Sequence, residues 1–156
     1  MKITLILVGK TADKMYAAGI DDYAKRIGHY LPFNIKVIPE LKNNKSMSHA
    51  QQKEKEGEQI LKALDPKCFL VLLDERGKEM RSAEFAAWIE NKQFATKQLT
   101  FVIGGPYGFS QSVYERADGM MSLSRMTFSH QMVRLVFTEQ LYRAFTILNN
   151  EHYHHE

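Results

Sequence analysis

In the stretch SRMTFSHQMVR, His130 and Arg134 stand four residues apart, a spacing that puts both on one face of a helix. A neutral imidazole can accept a proton or a hydrogen bond, and a guanidinium offers a planar fork of donors. In the first turn of a helix the dipole disfavours the imidazolium form. The pair therefore suits an anionic or enolate-like group; the plainer alternative is a solvated polar face. Arg143 follows Arg134 by nine positions. At about 100° per residue it faces the opposite side of the same helix. One pocket cannot use both arginines within one chain. A symmetric dimer packed through this helix would let one arginine serve its own pocket and the other the partner's. The chain then runs into NNEHYHHE, where Tyr153 and His154 sit among further histidines. On composition alone such an end reads as a tag remnant or a frayed terminus.

Two further stretches have chemical potential. In IGGPYGFS, Gly104, Gly105 and Gly108 follow an apolar run and precede a helical one. Glycines there permit a tight turn and close backbone approach to a ligand, next to a helix start that favours anions. The pattern is neither G-x-G-x-x-G nor a Walker loop, so a turn that merely needs glycine is an equal reading. In LLDERGK, Asp74 and Glu75 are adjacent and point apart, which argues against a paired-carboxylate hydrolase. No G-x-S-x-G elbow is present. The six histidines show no metal-ligand spacing apart from the cluster at the tail, so no metal is expected.

The elements that must position these residues alternate. ITLILVG (3–9) reads as a buried strand, followed by a helix from about Asp13 to Tyr30 with Met15, Ala18, Tyr23 and Ile27 inward and Pro32 as its stop. FNIKVIP (33–39) is a second strand and ELKNNKSM (40–47) a loop. Ser48 caps a helix to about Leu64. CFLVLLD (68–74) is a third strand, ERGKEMR a turn-rich loop, and Ser82 caps a helix whose Phe85, Trp88 and Ile89 form a core face. LTFVIGG (99–105) is a fourth strand, 110–117 a short helix, MMSLS (120–124) a fifth strand, and His130 to Leu148 the last helix. Its apolar stripe is Val133, Val136, Phe137, Leu141, Ala144 and Leu148. Alternating strands and helices define an α/β fold: a mostly parallel sheet with helices on both faces, whose ligands bind beyond the carboxyl ends of the strands. All three chemical stretches lie at such ends.

The 156 residues, 44% apolar and 25% charged, fit one soluble domain. No apolar run approaches the ~18 residues of a membrane helix, and MKITLILVGK lacks a small-residue cleavage site. The single cysteine, Cys68, lies in an apolar run and is expected in the core; no disulfide framework is possible, which suits a reducing cytoplasm. The net charge of +3 is uneven: residues 2–55 carry ten Lys/Arg against five Asp/Glu, and the remainder eleven against thirteen. A basic N-terminal third could meet phosphates, although a mixed solvated surface has the same composition.

Taken together, LLDERGK, VIGGPYGFS, LSRMTFSHQMVRLVFTEQLYRAF and a terminal Tyr-His resemble the RlmH family, formerly called YbeA-like, within the SPOUT superfamily of knotted methyltransferases. The resemblance spans the whole chain and is most specific from Met126 to Phe145. It implies a C-terminal trefoil knot, which no periodicity could show, S-adenosyl-L-methionine as cofactor, and a homodimer whose sites are completed by the partner. The cofactor positions it implies are Leu72, Leu73, Gly104, Gly105, Leu123, Ser124, Arg125, Met126, Thr127 and Phe128. The implied reaction is methyl transfer to N3 of a pseudouridine in the helix 69 loop of 23S ribosomal RNA, within the ribosome. His130, Arg134, Arg143, Tyr153 and His154 are the catalytic candidates, with the general base open between His130 and a tail histidine. Where the family pattern has a basic residue after Tyr-His, this chain has His155, which carries only partial charge near neutral pH. The rival readings are a non-catalytic ribosomal-RNA-binding or assembly protein on the same fold, and a flavodoxin-like nucleotide-binding module.

Overall fold

A computed structural model describes residues 1–42 and 44–156. Five strands form one parallel sheet in the order β2-β1-β4-β3-β5. They are β1 (Lys2–Val8), β2 (Phe33–Ile38), β3 (Phe69–Glu79), β4 (Gln98–Ile103) and β5 (Gly119–Ser122). The helices are α1 (Lys14–Ile27), α2 (His49–Ala63), α3 (Ser82–Ala95), α4 (Gln111–Arg116) and α5 (Met132–Leu148). Successive residues of a strand point to opposite faces, and here both faces are covered. Ile3, Leu5 and Leu7 of β1, Val71 of β3 and Leu99, Phe101 and Ile103 of β4 pack on the α1, α3 and α5 side. Ile6, Val8, Leu70, Leu72 and Val102 pack on the α2 and α4 side with Ile60, Phe109 and Val113. Cys68 lies buried in that second layer, as expected.

Side chains supply several helix starts. The Asp13 carboxylate accepts from the N–H groups of Met15 and Tyr16 at 2.8 and 3.3 Å. Ser48 and Gln51 form a reciprocal capping box, and Ser110 Oγ accepts from Val113 N–H.

The structure corrects several element boundaries. Ser82 does not cap α3; it is the first helical residue, and Glu84 accepts from the N–H of Arg81 at 2.7 Å. α5 starts at Met132, so His130 lies in the turn before it. Of the residues expected inward on α1, Ile27 is buried and Tyr23 half-buried, but Ile20 takes the remaining place and Met15 and Ala18 are exposed. Within ELKNNKSM, Asn44–Ser46 form a single 3-10 turn, and Asn43 lies outside the described residues.

The largest correction concerns ERGKEMR. β3 does not end at Asp74 but resumes to Glu79, and both Leu73 and Lys78 pair with Met121 of β5. The intervening Asp74–Gly77 forms an irregularity that brings Gly77 against the β5 backbone. A Cβ on Gly77 would stand 2.5 Å from Met121 N and C, so only glycine fits without moving a strand. Gly77→Ala should lower unfolding stability by about 1–3 kcal/mol, read as a lower denaturant midpoint at unchanged slope.

Candidate functional site at the carboxyl ends of the strands

The irregular segment of β3 and the ends of β4 and β5 open into one cavity of about 730 Å³. Its walls are the segments 73–76, 103–109 and 121–130, together with Tyr114 and Val133. In a doubly wound parallel sheet this is where a ligand binds. Leu73, Ile103, Met121, Leu123 and Val133 supply apolar wall, and the two loops supply main-chain polar groups.

Local hydrogen bonds shape the loop after β5. Ser122 Oγ donates to the Ser124 carbonyl at 2.9 Å, Met126 N–H donates to Ser124 Oγ at 2.9 Å, and Met132 N–H donates to Ser129 Oγ at 3.1 Å. The glycine loop is packed from beneath. A Cβ on Gly104 would meet the Phe109 ring at 2.8 Å, and one on Gly105 would meet Glu56 Oε1 at 2.6 Å. Gly108 has φ +83°, in the left-handed region that favours glycine. Burial pushes the Glu56 carboxyl up, against hydrogen bonds from Gln52 and the Gly105 N–H that favour its charged form. A second cavity of about 430 Å³ shares Gly105, Pro106, Tyr107 and His130 with the first and is lined also by Glu40, His49 and Glu56.

On the β3 side, Asp74 is held by Tyr114 and Arg76. Tyr114 Oη donates to Asp74 Oδ2, and the Arg76 N–H donates to Oδ1 at 2.9 Å. The Arg76 guanidinium lies 4.7 Å from the centroid of the Tyr114 ring. Burial works against the Asp74 carboxylate, but these hydrogen bonds outweigh it and hold its pKa below the usual aspartate value.

Of the cofactor positions implied by resemblance, Leu73, Gly104, Gly105 and Leu123 to Phe128 all line the first cavity. Leu72 does not; its side chain is fully buried on the α2 and α4 side. His130 is exposed and lines both cavities. Arg134 is not on either wall. It is 1% exposed, and its guanidinium donates to the carbonyls of Val8 at 2.7 Å, Gly9 at 2.8 Å and His130 at 3.1 Å, and to Thr11 Oγ1 at 3.1 Å. The expected pairing of His130 with Arg134 exists, but through the His130 carbonyl. Burial lowers the Arg134 pKa, with the field of Glu40 opposing, and an arginine remains charged through such a shift.

Arg143, Tyr153 and His154 gather over the C-terminal half of α5, away from the cavity. Asn150, at φ +54°, reverses the chain so that the tail folds back on α5. Arg143 Nη1 lies 3.1 Å from His154 Nδ1, and its guanidinium carbon lies 4.8 Å from the centroid of the Tyr153 ring. Glu139 Oε1 accepts from Arg143 Nη2 at 2.6 Å and from Tyr153 Oη at 3.0 Å. The opposite facing of Arg134 and Arg143 is thus as the spacing requires. The tail is ordered by these contacts rather than frayed. Sequence reasoning missed Glu139, although its place four residues before Arg143 is an ion-pair spacing. It also missed Tyr114 and Asp74 as partners, which a separation of forty positions conceals. Among the described residues no group of three His, Cys, Asp or Glu side chains could hold a metal ion, and no helix is long and apolar enough to cross a membrane.

Fold and cavity together define an α/β protein with a cavity shaped by loops at the carboxyl edge of a parallel sheet. The sequence profile of a family described as predicted SPOUT methyltransferase matches residues 1–154. The chain is 60% identical to proteins named ribosomal RNA large subunit methyltransferase H from Phocaeicola vulgatus and from Bacteroides fragilis, and 55% identical to the one from Flavobacterium johnsoniae. Each alignment covers the full length of both chains. The chain belongs to the SPOUT methyltransferase family, and it is a methyltransferase.

Two outcomes follow from the geometry. Tyr114→Phe should raise the Asp74 pKa, measured by carboxyl-carbon NMR titration. The stabilisation from this contact is present above the ordinary aspartate pKa of about 3.9 and is lost as pH falls through the lower folded value; Y114F should flatten that acid limb. Arg134→Met leaves several buried carbonyls unpaired and should cost about 3 kcal/mol or more in chemical denaturation.

Proposed function

We propose that this methyltransferase transfers the methyl group of S-adenosyl-L-methionine to large-subunit ribosomal RNA, at N3 of a pseudouridine in the helix 69 loop, and does so as a homodimer. The observation that carries the reading is that the irregular segment within β3 and the loops after β4 and β5, remote in sequence, close around one cavity. The residues present fit the cofactor: the volume suits a nucleoside joined to an amino acid, with an apolar floor and main-chain donors and acceptors on the rim. Leu73, Gly104, Gly105 and the 123–128 loop would hold it. Bound there, it supplies an electrophilic methyl group. The relatives named as ribosomal RNA methyltransferases supply the substrate class. The trefoil knot belongs to the same reading and is supported by membership of the SPOUT family.

The homodimer is supported by the distance between the two halves of the chemistry. Arg143 follows the cavity-lining Val133 by ten residues, about 15 Å along α5, and neither it, Tyr153 nor His154 lines its own cavity. Two α5 helices packed antiparallel across a two-fold axis would bring each cluster to the partner's cavity. Met15 and Met132, exposed at the starts of α1 and α5, suit burial there. In this arrangement Arg134 is a positioning residue that fixes His130 through its main chain. Arg143 of the partner subunit faces the base oxygens on which negative charge develops. The basic N-terminal third meets ribosomal RNA phosphates.

Purified protein should transfer labelled methyl to ribosomes from a strain lacking the modification, with the label mapping to one pseudouridine. Absence of incorporation by protein that binds the cofactor would sink the reading. Deletion of residues 152–156 should leave cofactor binding and dimerisation largely intact, by calorimetry and light scattering, while abolishing transfer.

A further inference from the structure

The tail cluster contains more chemical information than the proposed reaction uses. His154 Nδ1 lies 3.1 Å from Arg143 Nη1. A guanidinium has hydrogens and no available lone pair, so it can only donate. Nδ1 must therefore accept, and the hydrogen of the neutral ring is on Nε2. Arg143 is not free to turn away. Glu139 Oε1 accepts from its Nε at 3.1 Å and its Nη2 at 2.6 Å, and the Tyr153 ring lies beside the guanidinium. Glu139 is itself held by Tyr153 Oη, which lies 3.4 Å from Tyr23 Oη on α1. The other side of the imidazole is different. His154 Nε2 is buried within its own chain and makes no hydrogen bond, although Glu156 Oε1 stands 3.4 Å away. One ring nitrogen is thus fully engaged, and the other makes no hydrogen bond but faces the Glu156 carboxylate, which must move aside before Nε2 can meet a substrate.

We infer that Glu139, acting through Arg143, locks His154 as the Nε2–H tautomer, and that His154 serves as a hydrogen-bond donor to the substrate base and not as its proton acceptor. Neither nitrogen can take a proton in this state, because Nδ1 has spent its lone pair on Arg143 and Nε2 already holds the ring hydrogen. The inference rests on the proposed methyl transfer to a uracil-type base. In that step N3 gives its proton to an acceptor, its electron pair forms the bond to the methyl carbon, and the electrons of the broken carbon–sulfur bond return to sulfur. Negative charge builds on the flanking carbonyl oxygens as the proton leaves, and an N–H aimed at one of them stabilises that charge. The proton acceptor then lies elsewhere, and His130, exposed at the cavity mouth, is the imidazole placed there. Glu139 and Arg143 are positioning residues with respect to His154.

Two measurements test this, and the first does not depend on activity. Long-range ¹H–¹⁵N correlation spectra of the side-chain imidazoles, assigned with His154→Gln, should show His154 Nδ1 unprotonated and Nε2 protonated at neutral pH. Arg143→Met or Glu139→Ala should move both nitrogens toward averaged positions. A protonated Nδ1 in the unaltered protein overturns the inference whatever the substrate proves to be. The second measurement is kcat on modification-deficient ribosomes. Gln places an N–H near the position of Nε2, so His154→Gln should lose about tenfold and keep the pH profile. His154→Ala and His154→Asn should lose about 100-fold or more. If H154Q is as inactive as H154A, or loses one limb of the pH profile, His154 is a base and the inference fails.

Discussion

A buried guanidinium holds the working edge of this molecule together. Arg134 is among the largest fully buried side chains, and it touches no carboxylate. Its charge is distributed over the carbonyls that end β1 and the carbonyl of His130, with Glu40 acting only through its field. Removing such a charge from water is costly unless its donors are met. Here several are met by main-chain acceptors that would otherwise need partners of their own. The strand end and the start of α5 are thereby joined at one point. The loop that lines the cavity runs into that point at His130, so its position follows from a contact buried beneath it.

α5 separates two kinds of chemistry along its length. Its N-terminal end meets the irregular segment of β3 and the loops after β4 and β5, where the walls are main chain and apolar side chains suited to binding. Its C-terminal half, with the tail folded on it, brings a carboxylate, a guanidinium, a phenol and an imidazole into one cluster, suited to handling charge. In the proposed homodimer, a two-fold axis would convert this separation into adjacency, so that one helix would serve two sites.

The strands and most helices were legible because parallel strands covered on both faces read as continuous apolar runs, and Asp13, Ser48 and Ser110 mark helix starts with side-chain caps. The glycine loop and the 123–128 stretch were legible as chemistry because polar residues followed buried strands directly. β3 beyond Asp74 was not, because DERGKE is polar and its pairing with β5 is a tertiary fact. The role of Arg134 was not legible either. Spacing assigns a residue to a helix face, but not what that face packs against, and here it packs against the end of β1. Met15 misled for a related reason: Ile20 and Ile27 set the α1 face and left it outside.

The distribution of aromatic residues gives the chain two built-in optical reporters. Trp88, the single tryptophan, packs with Phe69, Phe85 and Phe101 and has Lys92 Nζ 5.2 Å from its ring. Tyr23, Tyr30, Tyr142 and Tyr153 instead group around α1, α5 and the tail. Indole emission therefore reports on the sheet and α3, while near-ultraviolet tyrosine signals are weighted toward the tail. Events at the tail and unfolding of the body can be followed separately in one unlabelled sample.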